Sequence, residues 1–229
     1  MSAKDVIDSG KATLGIELGS TRIKAILIGE NPNQVLGAGS HEWENKLVDG
    51  LWSYSLEDIW QGLQHSFSDL QENLEKQHGT QIKALNAIGI SAMMHGYLAF
   101  DKAGELLVPF RTWRNTNTGE AARELSELFG VNIPLRWSIA HLHQVVLEKA
   151  EHVSKIDFVT TLAGYVHYML TGNKVLGVGD ASGMFPIDPK TKTYDQNLIS
   201  KYADLTQGSQ LPKPLLELLP KVLSAGESG

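Results

Sequence analysis

The first apolar segments of the chain are short and rich in β-branched residues. Residues 13–18 and 23–29 are two such segments, and a turn at residues 19–21 separates them. Runs of this length bounded by turn residues are typical of strands, so the pattern predicts two strands joined by a tight turn. A further segment at residues 34–43 predicts a third strand. This part of the chain therefore predicts three successive strands.

The spacing of the apolar positions then changes to three, four and seven residues. The recurring residues are Leu56, Ile59, Trp60, Leu63, Phe67, Leu70 and Leu74. They form one stripe of a long amphipathic helix, and Ser55 with Asp58 resembles its amino-terminal capping box. Residues 87–91 then predict a buried strand, and residues 97–110 a hairpin-like stretch.

Helical patterns dominate the rest of the chain. They lie at residues 119–129, 138–146 and 162–170, with Ser138 and Asp195 as candidate caps and Gly130 and Gly172 as candidate ends. Three strands, a helix and then alternating strands and helices indicate an α/β ribonuclease H-like domain with a mixed sheet and flanking helices. This is the fold class of the actin, hexokinase and Hsp70 superfamily. A compact α/β domain of other connectivity would give a similar pattern, so function must be argued from site residues.

Composition and charge exclude several classes of function. The 229 residues are 42% hydrophobic, which is enough to bury a core and favours one domain. A net charge of −6 without a block of like charge argues against nucleic acid as a partner. The lack of cysteine excludes disulfides and fits a cytoplasmic location. Residues 1–12 form a polar extension, and no apolar run reaches the ~20 residues that span a membrane, so we expect no membrane partner.

The turn between the first two predicted strands carries the parts of a phosphate cradle. Backbone N–H groups around Gly19 can converge on an anion, and Ser20 and Thr21 add hydroxyl donors. Lys24 adds a positive charge. An ordinary hairpin, whose glycine supplies the turn dihedral, explains the same residues. The motif is not a Walker loop, because no Gly-Lys-Ser/Thr opens a helix.

Two further stretches have the composition of a sugar site. His95 follows a predicted strand and precedes a glycine, so its imidazole can reach a cleft and hydrogen-bond a hydroxyl. A structural histidine is the alternative. Trp113 can cover the apolar face of a sugar, while Arg114 and Asn115 offer planar donors to vicinal hydroxyls. The alternative for this stretch is a helix entry near Asn117.

Asp180 is the strongest candidate for chemistry. It lies in the stretch Val178-Gly-Asp-Ala-Ser-Gly183, between two apolar runs. A carboxylate bracketed by small residues is sterically open, and an attacking hydroxyl can transfer its proton to it during in-line phosphoryl transfer. An aspartate in a turn is the alternative for an isolated Gly-Asp pair.

Together, these four stretches resemble the FGGY carbohydrate kinases, and most closely their xylulokinase-like branch. The resemblance runs in order from Thr13 to about Pro220. Residues 15–24 resemble the family's first strand and turn, and residues 94–96 its Met-His-Gly stretch. Residues 113–115 resemble its Trp-Asn-Asp stretch. Residues 179–183 resemble its Ser-Asp-Ala-Ser-Gly stretch, which carries the catalytic base.

The resemblance implies an ATP-dependent sugar kinase that uses Mg²⁺, with Asp180 as general base. The residues implied to contact the sugar are Met94, His95, Trp113, Arg114, Asn115 and Asp180. Those implied to hold ATP phosphates are Gly19, Ser20, Thr21 and Lys24, with Glu17 binding magnesium through water. Residues 13–229 would form the sugar-binding N-terminal domain. Its partner would be a C-terminal nucleotide domain absent from this chain, without which we expect little activity.

Four positions depart from the family pattern. Glu17 stands where the family usually has aspartate, so a water-mediated magnesium contact needs a longer arm or a shifted ion. Met93 replaces the usual glutamine, and Arg114-Asn115 replaces Asn-Asp. An arginine in the wall of the sugar site favours an acidic or differently hydroxylated sugar over xylulose.

Two other classes of function share part of this pattern. A non-kinase actin-like ATPase or chaperone-type domain would share the phosphate turn but has no need of His95, Trp113 and Asp180 together. A catalytically inactive module would bind sugar without ATP. An apolar inter-domain face, if exposed, would also favour a homodimer.

Overall fold

A computed structural model describes residues 2–229 of the chain, which divide into two compact units. The first unit comprises the described residues up to Lys46 together with Tyr54–Met93. The second comprises Leu47–Ser53 and Met94–Gly229. None of the described helices is long and apolar enough to cross a membrane.

Five strands follow a short first helix, and the rest of the chain combines helices with short strands. The helices are α1 (Ala3–Asp8), α2 (Leu56–His78), α3 (Gly119–Phe129), α4 (Ser138–Leu147), α5 (Leu162–Thr171), α6 (Val178–Ala181), α7 (Gln196–Leu205) and α8 (Leu215–Leu218), and a 3-10 helix spans Glu151–Lys155. The strands are β1 (Thr13–Leu18), β2 (Arg22–Ile28), β3 (Val35–Glu42), β4 (Lys46–Val48), β5 (Leu51–Ser53), β6 (Ala87–Ala92), β7 (Leu98–Phe100), β8 (Phe158–Thr160), β9 (Val175–Gly177), β10 (Ile187–Asp188), β11 (Thr193–Tyr194) and β12 (Lys221–Leu223).

The first unit contains a four-stranded mixed sheet in the order β3-β2-β1-β6. β1 pairs antiparallel with β2 and parallel with β6, and β2 pairs antiparallel with β3. The three strands predicted at the start of the chain are confirmed, as is the mixed α/β character of the fold. The strand predicted at residues 87–91 is also confirmed, but its burial was predicted wrongly. β6 lies at the sheet edge with Ile88 51% exposed.

Helix α2 covers one face of this sheet. Ser55 Oγ accepts from the backbone N–H of Asp58 and caps its start, while Gly79 ends it with φ 63°. Leu70 and Leu74 are fully buried against the sheet. A Cβ on Gly39 of β3 would lie 2.2 Å from the backbone N of Leu70, so only glycine allows this close approach. The predicted amphipathic helix and its serine cap are confirmed.

Residues 3–8 fall within the stretch expected to be a polar extension, yet they form helix α1. Ser2 caps it in a reciprocal capping box with Asp5. Val6 and Ile7 are buried in the same core as Leu14 of β1. Two adjacent apolar residues in a polar stretch are too few to reveal a helix by periodicity, so this anchoring contact was missed.

The second unit has a larger core formed mainly by helices and short paired strands. β7 pairs antiparallel with β8, β9 parallel with β12, and β10 antiparallel with β11. The side chain of Phe185 meets Phe129 edge-on at 5.5 Å and Tyr194 at 6.1 Å between ring centroids. The predicted helices of this region are confirmed, with Gly130 and Gly172 in left-handed conformations at the ends of α3 and α5.

The cap of α4 differs from the prediction. Ser138 was the candidate cap, but the capping residue is Trp137, which makes no side-chain cap bond. Ser138 Oγ instead donates to the carbonyl of Gly96 at 2.6 Å. The hydroxyl therefore connects α4 to a distant loop, which local sequence signals do not report.

Candidate functional site

The turn between β1 and β2 is held by hydrogen bonds to three successive carbonyls. Trp43 Nε1 donates to the Gly19 carbonyl and the Tyr54 hydroxyl to the Ser20 carbonyl, each at 2.7 Å. The backbone N–H of Trp43 donates to the Thr21 carbonyl at 3.2 Å. The Trp43 and Tyr54 rings stack at 4.1 Å. Their support fixes the turn and leaves the Ser20 and Thr21 side chains exposed.

Gly19 lies at a close approach of two backbone segments and does not have an unusual dihedral. It does not adopt a positive φ, unlike the glycine expected in an ordinary hairpin. Its N–H instead donates to the Arg22 carbonyl at 3.0 Å, and an added Cβ would lie 3.0 Å from that same oxygen. The turn is therefore tight because two backbone segments touch.

Glu17 and Lys24 face each other across β1 and β2. Their register pairs them directly, and Lys24 Nζ lies 3.0 Å from Glu17 Oε2. Both side chains are about half exposed, which leaves oxygens and N–H groups free to meet a ligand. They line a shallow groove of about 410 Å³ on the open face of the sheet, with Gly15, Gly89 and Ser91.

A strained loop in the second unit presents His95. Its φ of 74° and that of Gly96, 104°, are both positive. Arg136 and Ser138 fix Gly96, since its N–H donates to the Arg136 carbonyl and its carbonyl accepts from Ser138 Oγ. An added Cβ on Gly96 would lie 2.7 Å from the Arg111 carbonyl. A non-glycine residue with positive φ persists only when its surroundings enforce it, and such positions cluster at functional sites.

The His95 ring has a defined environment. Its Nδ1 lies 3.3 Å from the Gly183 carbonyl, and its plane lies nearly parallel to the indole of Trp137. Burial lowers the pKa of His95, the contact with the Gly183 carbonyl opposes that shift, and the charge of Arg136 adds to it. The lowered pKa favours the neutral imidazole, in which Nδ1–H would donate to the Gly183 carbonyl and Nε2 would accept from a ligand hydroxyl.

Asp180 lies on the short helix α6, close in sequence to the glycine that meets His95. Its Oδ2 accepts from Thr161 Oγ1 at 2.6 Å. Burial raises its pKa, and the bond from Thr161 opposes that shift. The Gly183 N–H donates to the Asp180 carbonyl at 2.9 Å, while the Gly183 carbonyl faces His95. Gly183 thus brings the His95 loop and the Asp180 helix together.

The Trp113–Asn115 stretch packs against β5. Asn115 is buried, and its side-chain amide pairs with both the N–H and the carbonyl of Trp52 at 2.8 Å. Arg114 lies over the Trp52 ring, 3.9 Å from its centroid. Trp113 is 41% exposed. The Asn115 amide thus holds main chain, and a sugar contact by Asn115 stays a prediction.

Several residues of these sites were missed from sequence. Thr161 and Arg136 contact the Asp180 and His95 regions from distant points in the chain, and Trp137 stacks on His95. Trp43 and Tyr54 support the turn from behind. A threonine just before a predicted helix was the available signal for Thr161. The aromatic residues carried no local signal that distinguishes them from core residues.

The Glu17 carboxylate and the Lys24 ammonium group of the first unit fit a magnesium–phosphate ligand. Mg²⁺ is usually held by one or two carboxylates together with substrate phosphates and water. Glu17 supplies one exposed carboxylate, and Lys24 can offset phosphate charge. Within residues 2–229 there is no cluster of three or more metal-ligating His, Asp or Glu side chains. An ion here would therefore depend on phosphate and water for most of its ligands.

Comparisons with known proteins agree on one family. The family model described as "FGGY family of carbohydrate kinases, N-terminal domain" matches residues 12–228. The xylulose kinase of Escherichia coli K12 is 24% identical over 227 residues, covering 91% of this chain and 45% of that protein. The xylulose kinase of Bacillus subtilis is 28% identical over 199 residues, covering 83% and 39% respectively.

Solved structures of sugar kinases share the fold. The "xyloylose kinase" of Brucella ovis superposes with a TM-score of 0.78 at 21% identity, covering 95% of this chain and 44% of that one. A gluconate kinase from Lactobacillus acidophilus gives 0.73 at 22% identity, covering 93% and 42%. These matches confirm the predicted actin/hexokinase-like fold class. The chain spans less than half the length of these relatives. It belongs to the FGGY family of carbohydrate kinases, as a match to their N-terminal domain.

Proposed function

We propose that the protein containing this chain is an ATP-dependent sugar kinase, with Asp180 as its general base. The substrate is a ketose or a related sugar. The observation that supports this most directly is the environment of Asp180. A partly buried carboxylate receives one hydrogen bond, from Thr161, beside a glycine that faces His95.

The proposed reaction transfers the γ-phosphoryl group of ATP to a sugar hydroxyl. A bond forms between the sugar oxygen and the γ-phosphorus, and the bond from that phosphorus to the β–γ bridging oxygen breaks. The hydroxyl proton passes to Asp180, and ADP leaves. Burial raises the pKa of Asp180 toward the range in which a carboxylate is an effective base. Positioning and electrostatics supply most of the acceleration in such reactions.

The sugar would be held by groups of the second unit. Neutral His95 can hydrogen-bond a hydroxyl, and the exposed Met94 beside it offers apolar contact. The exposed Trp113 can cover the C–H face of a ring. Arg114, held over the Trp52 ring, adds a positively charged guanidinium.

The phosphates of ATP would be held by groups of the first unit. Ser20 and Thr21 are exposed at the fixed turn around Gly19, and Lys24 would neutralise phosphate charge. Glu17 would hold magnesium through water. When bound, the ion would offset negative charge on the phosphate oxygens. These assignments account for the Glu17–Lys24 pair, which would open to admit the nucleotide.

Adenosine would be bound by a second domain. The matched relatives are more than twice as long as the region they share with this chain. Transfer needs the nucleotide closed against the sugar in a water-poor cleft. We therefore expect the 229-residue chain alone to transfer phosphate poorly, and functional experiments require the full-length protein.

The test is Asp180→Asn in the full-length protein. We expect turnover, measured as ADP release, to fall about 10²- to 10⁴-fold, because the proton loses its acceptor. Calorimetry should show sugar affinity nearly unchanged. Equal losses of binding and turnover would instead give Asp180 a positioning role. Sugar binding by the wild type without any phosphoryl transfer would favour a binding module. ATP hydrolysis without sugar binding would favour an actin-like ATPase.

A further inference from the structure

The hydroxyl of Thr161 makes two contacts at once. Its Oγ1 donates to Asp180 Oδ2 at 2.6 Å and accepts from the backbone N–H of Gly164 at 3.2 Å. The second contact caps the amino terminus of α5. Thr161 is fully buried, so bulk water does not compete for either contact. A donated and an accepted bond together fix where the hydroxyl proton points.

We propose that Thr161 is a positioning residue of the phosphoryl-transfer site, which orients the Asp180 carboxylate through this hydrogen bond. The inference rests on the proposed function of Asp180 as base. Oδ2 is engaged by Thr161, and Oδ1 has no hydrogen-bond partner among residues 2–229. One oxygen is thus fixed while the other stays available to a substrate hydroxyl. Fixing the base in this way reduces the reorganisation needed at the moment of transfer.

The same bond opposes the effect of burial on the pKa of Asp180. Burial of Asp180 favours its neutral form, and a donated hydrogen bond favours the ionised form that accepts a proton. Charge-assisted bonds of this length are among the stronger hydrogen bonds in proteins. Without Thr161 the pKa of Asp180 would rise further. The base would then be protonated, and inactive, over a wider range of acidic pH.

Other groups near α6 do not replace this contact. Tyr194 on β11 is buried, and burial raises its pKa first, with Asp180 adding to the shift. Its hydroxyl has no hydrogen-bond partner in the described part of the chain. β9 and β12 also pack against α6. β9 contains no titratable residue, and β12 contributes Lys221, which is exposed. Thr161 is therefore the hydrogen-bond donor through which the fold acts on the carboxylate.

The neighbouring residue provides a matched control. Thr160 is also fully buried, but its Oγ1 has no hydrogen-bond partner among the described residues. Thr160→Val and Thr161→Val make the same chemical change one residue apart. Thr161→Ser keeps the hydroxyl and serves as the conservative rescue. Only loss of the Thr161 hydroxyl should alter the chemistry of Asp180.

The experiment measures kcat, KM and the pH profile of kcat/KM for these variants in the full-length protein. For Thr161→Val we expect the acidic limb to move up by about one pH unit, as the pKa of the base rises. We also expect the kcat on the plateau above this limb to fall about tenfold, because the carboxylate is less well oriented, with sugar affinity unchanged. Thr161→Ser and Thr160→Val should keep the wild-type profile.

A structural role alone would lower thermal stability without moving the pH profile, because a lost helix cap does not titrate. A Thr161→Val profile that matches Thr160→Val would therefore overturn the proposal. If Thr161→Val does not fold, Thr161→Ala removes the hydroxyl without placing a methyl group in its position. Asp180→Asn distinguishes failure of the proposed function from failure of the positioning role of Thr161. If it keeps full turnover, the proposed function fails; if it is inactive while Thr161→Val is normal, only the positioning role fails.

Discussion

The imidazole of His95 and the indole of Trp137 lie nearly parallel, with 18° between their planes and 6.5 Å between their centroids. Trp137 is only partly buried, although it packs on the edge of the second unit's core. It stands directly before α4, where a polar cap is usual. An aromatic ring there, beside the proposed sugar-binding histidine, gives the site a second apolar surface.

Replacing Trp137 should weaken sugar binding more than it changes chemistry. For Trp137→Ala in the full-length protein we expect about a tenfold rise in the sugar Kd by calorimetry, from losing about 1 to 1.5 kcal/mol of aromatic contact. Trp137→Phe should restore most of the affinity. The kcat should change little, because Trp137 lies beside His95 and the proposed base is Asp180. A variant that lowers kcat at unchanged affinity would contradict this role.

A side chain at Gly183 would collide with His95, because an added Cβ would lie 2.5 Å from His95 Nδ1. Gly183→Ala should therefore displace the imidazole and reduce sugar affinity by about tenfold, consistent with the loss of a hydrogen bond of about 1 to 1.5 kcal/mol. Gly177→Ala is the control, because a Cβ there meets nothing within 4 Å. Calorimetry of both variants tests the point. Equal affinities for the sugar would show that His95 does not bind it.

Local signals predicted the first unit well. β1 has the predicted bounds, and α2 begins directly after the serine predicted as its cap. Both follow from residue spacing and capping, which depend on neighbours in sequence. The burial of β6 could not be predicted in this way, because it depends on how many strands lie beside it. An apolar run such as Ile88-Gly-Ile90 is the same at the centre and at the edge of a sheet.

The sequence predicted candidate site residues but not the geometry around them. Asp180 and His95 were identified from motifs, whereas the Thr161–Asp180 bond joins residues 19 apart through tertiary packing. Asn115 shows a second limit of motif-based prediction. The composition of the Trp113–Asn115 stretch suggested a sugar site, and the Asn115 amide pairs with the backbone of Trp52. An asparagine amide can hydrogen-bond either the hydroxyls of a sugar or the backbone of a strand, and only the fold decides which of the two it meets.

Acid should destabilise the second unit through His141. This residue is fully buried, its ring nitrogens have no hydrogen-bond partner among residues 2–229, and burial lowers its pKa from 6.5 to about 3. Below pH 6.5 the unfolded chain therefore binds a proton that the folded chain does not. Stability falls as the pH drops from 6.5 toward 3. At pH 4.5 the loss from this group is about 2 to 3 kcal/mol.

The measurement is chemical unfolding of the wild type and His141→Leu between pH 7 and 4.5. The variant should lose less stability over this range, because one protonation is removed from its unfolded state. His65→Gln, which changes an exposed histidine of the first unit, is the control for removing a histidine. An unchanged slope in His141→Leu would mean that His141 is protonated in the folded protein.

The position of Arg114 leads to a prediction about substrate class. Stacking on Trp52 restrains the guanidinium, and the planar fork of an arginine is suited to binding a carboxylate in bidentate fashion. In the family pattern this position carries a neutral amide. We therefore expect the full-length protein to prefer aldonates or other acidic sugars over neutral pentuloses, by about tenfold or more in kcat/KM. Turnover of a panel of pentuloses, hexuloses, polyols and aldonates measures this preference.

Variants of Arg114 and Trp52 distinguish the contribution of the arginine charge from that of its stacking on the indole. Arg114→Lys keeps the charge but loses the planar fork, so we expect the preference for acidic sugars to shrink without vanishing. Arg114→Gln removes the charge, and neutral and acidic sugars should then be turned over at similar rates. Trp52→Leu removes the stacking surface and should resemble Arg114→Lys, since a guanidinium without its platform is less well oriented. If the wild type turns over neutral and acidic sugars equally, Arg114 binds no substrate carboxylate and its role is to pack against β5.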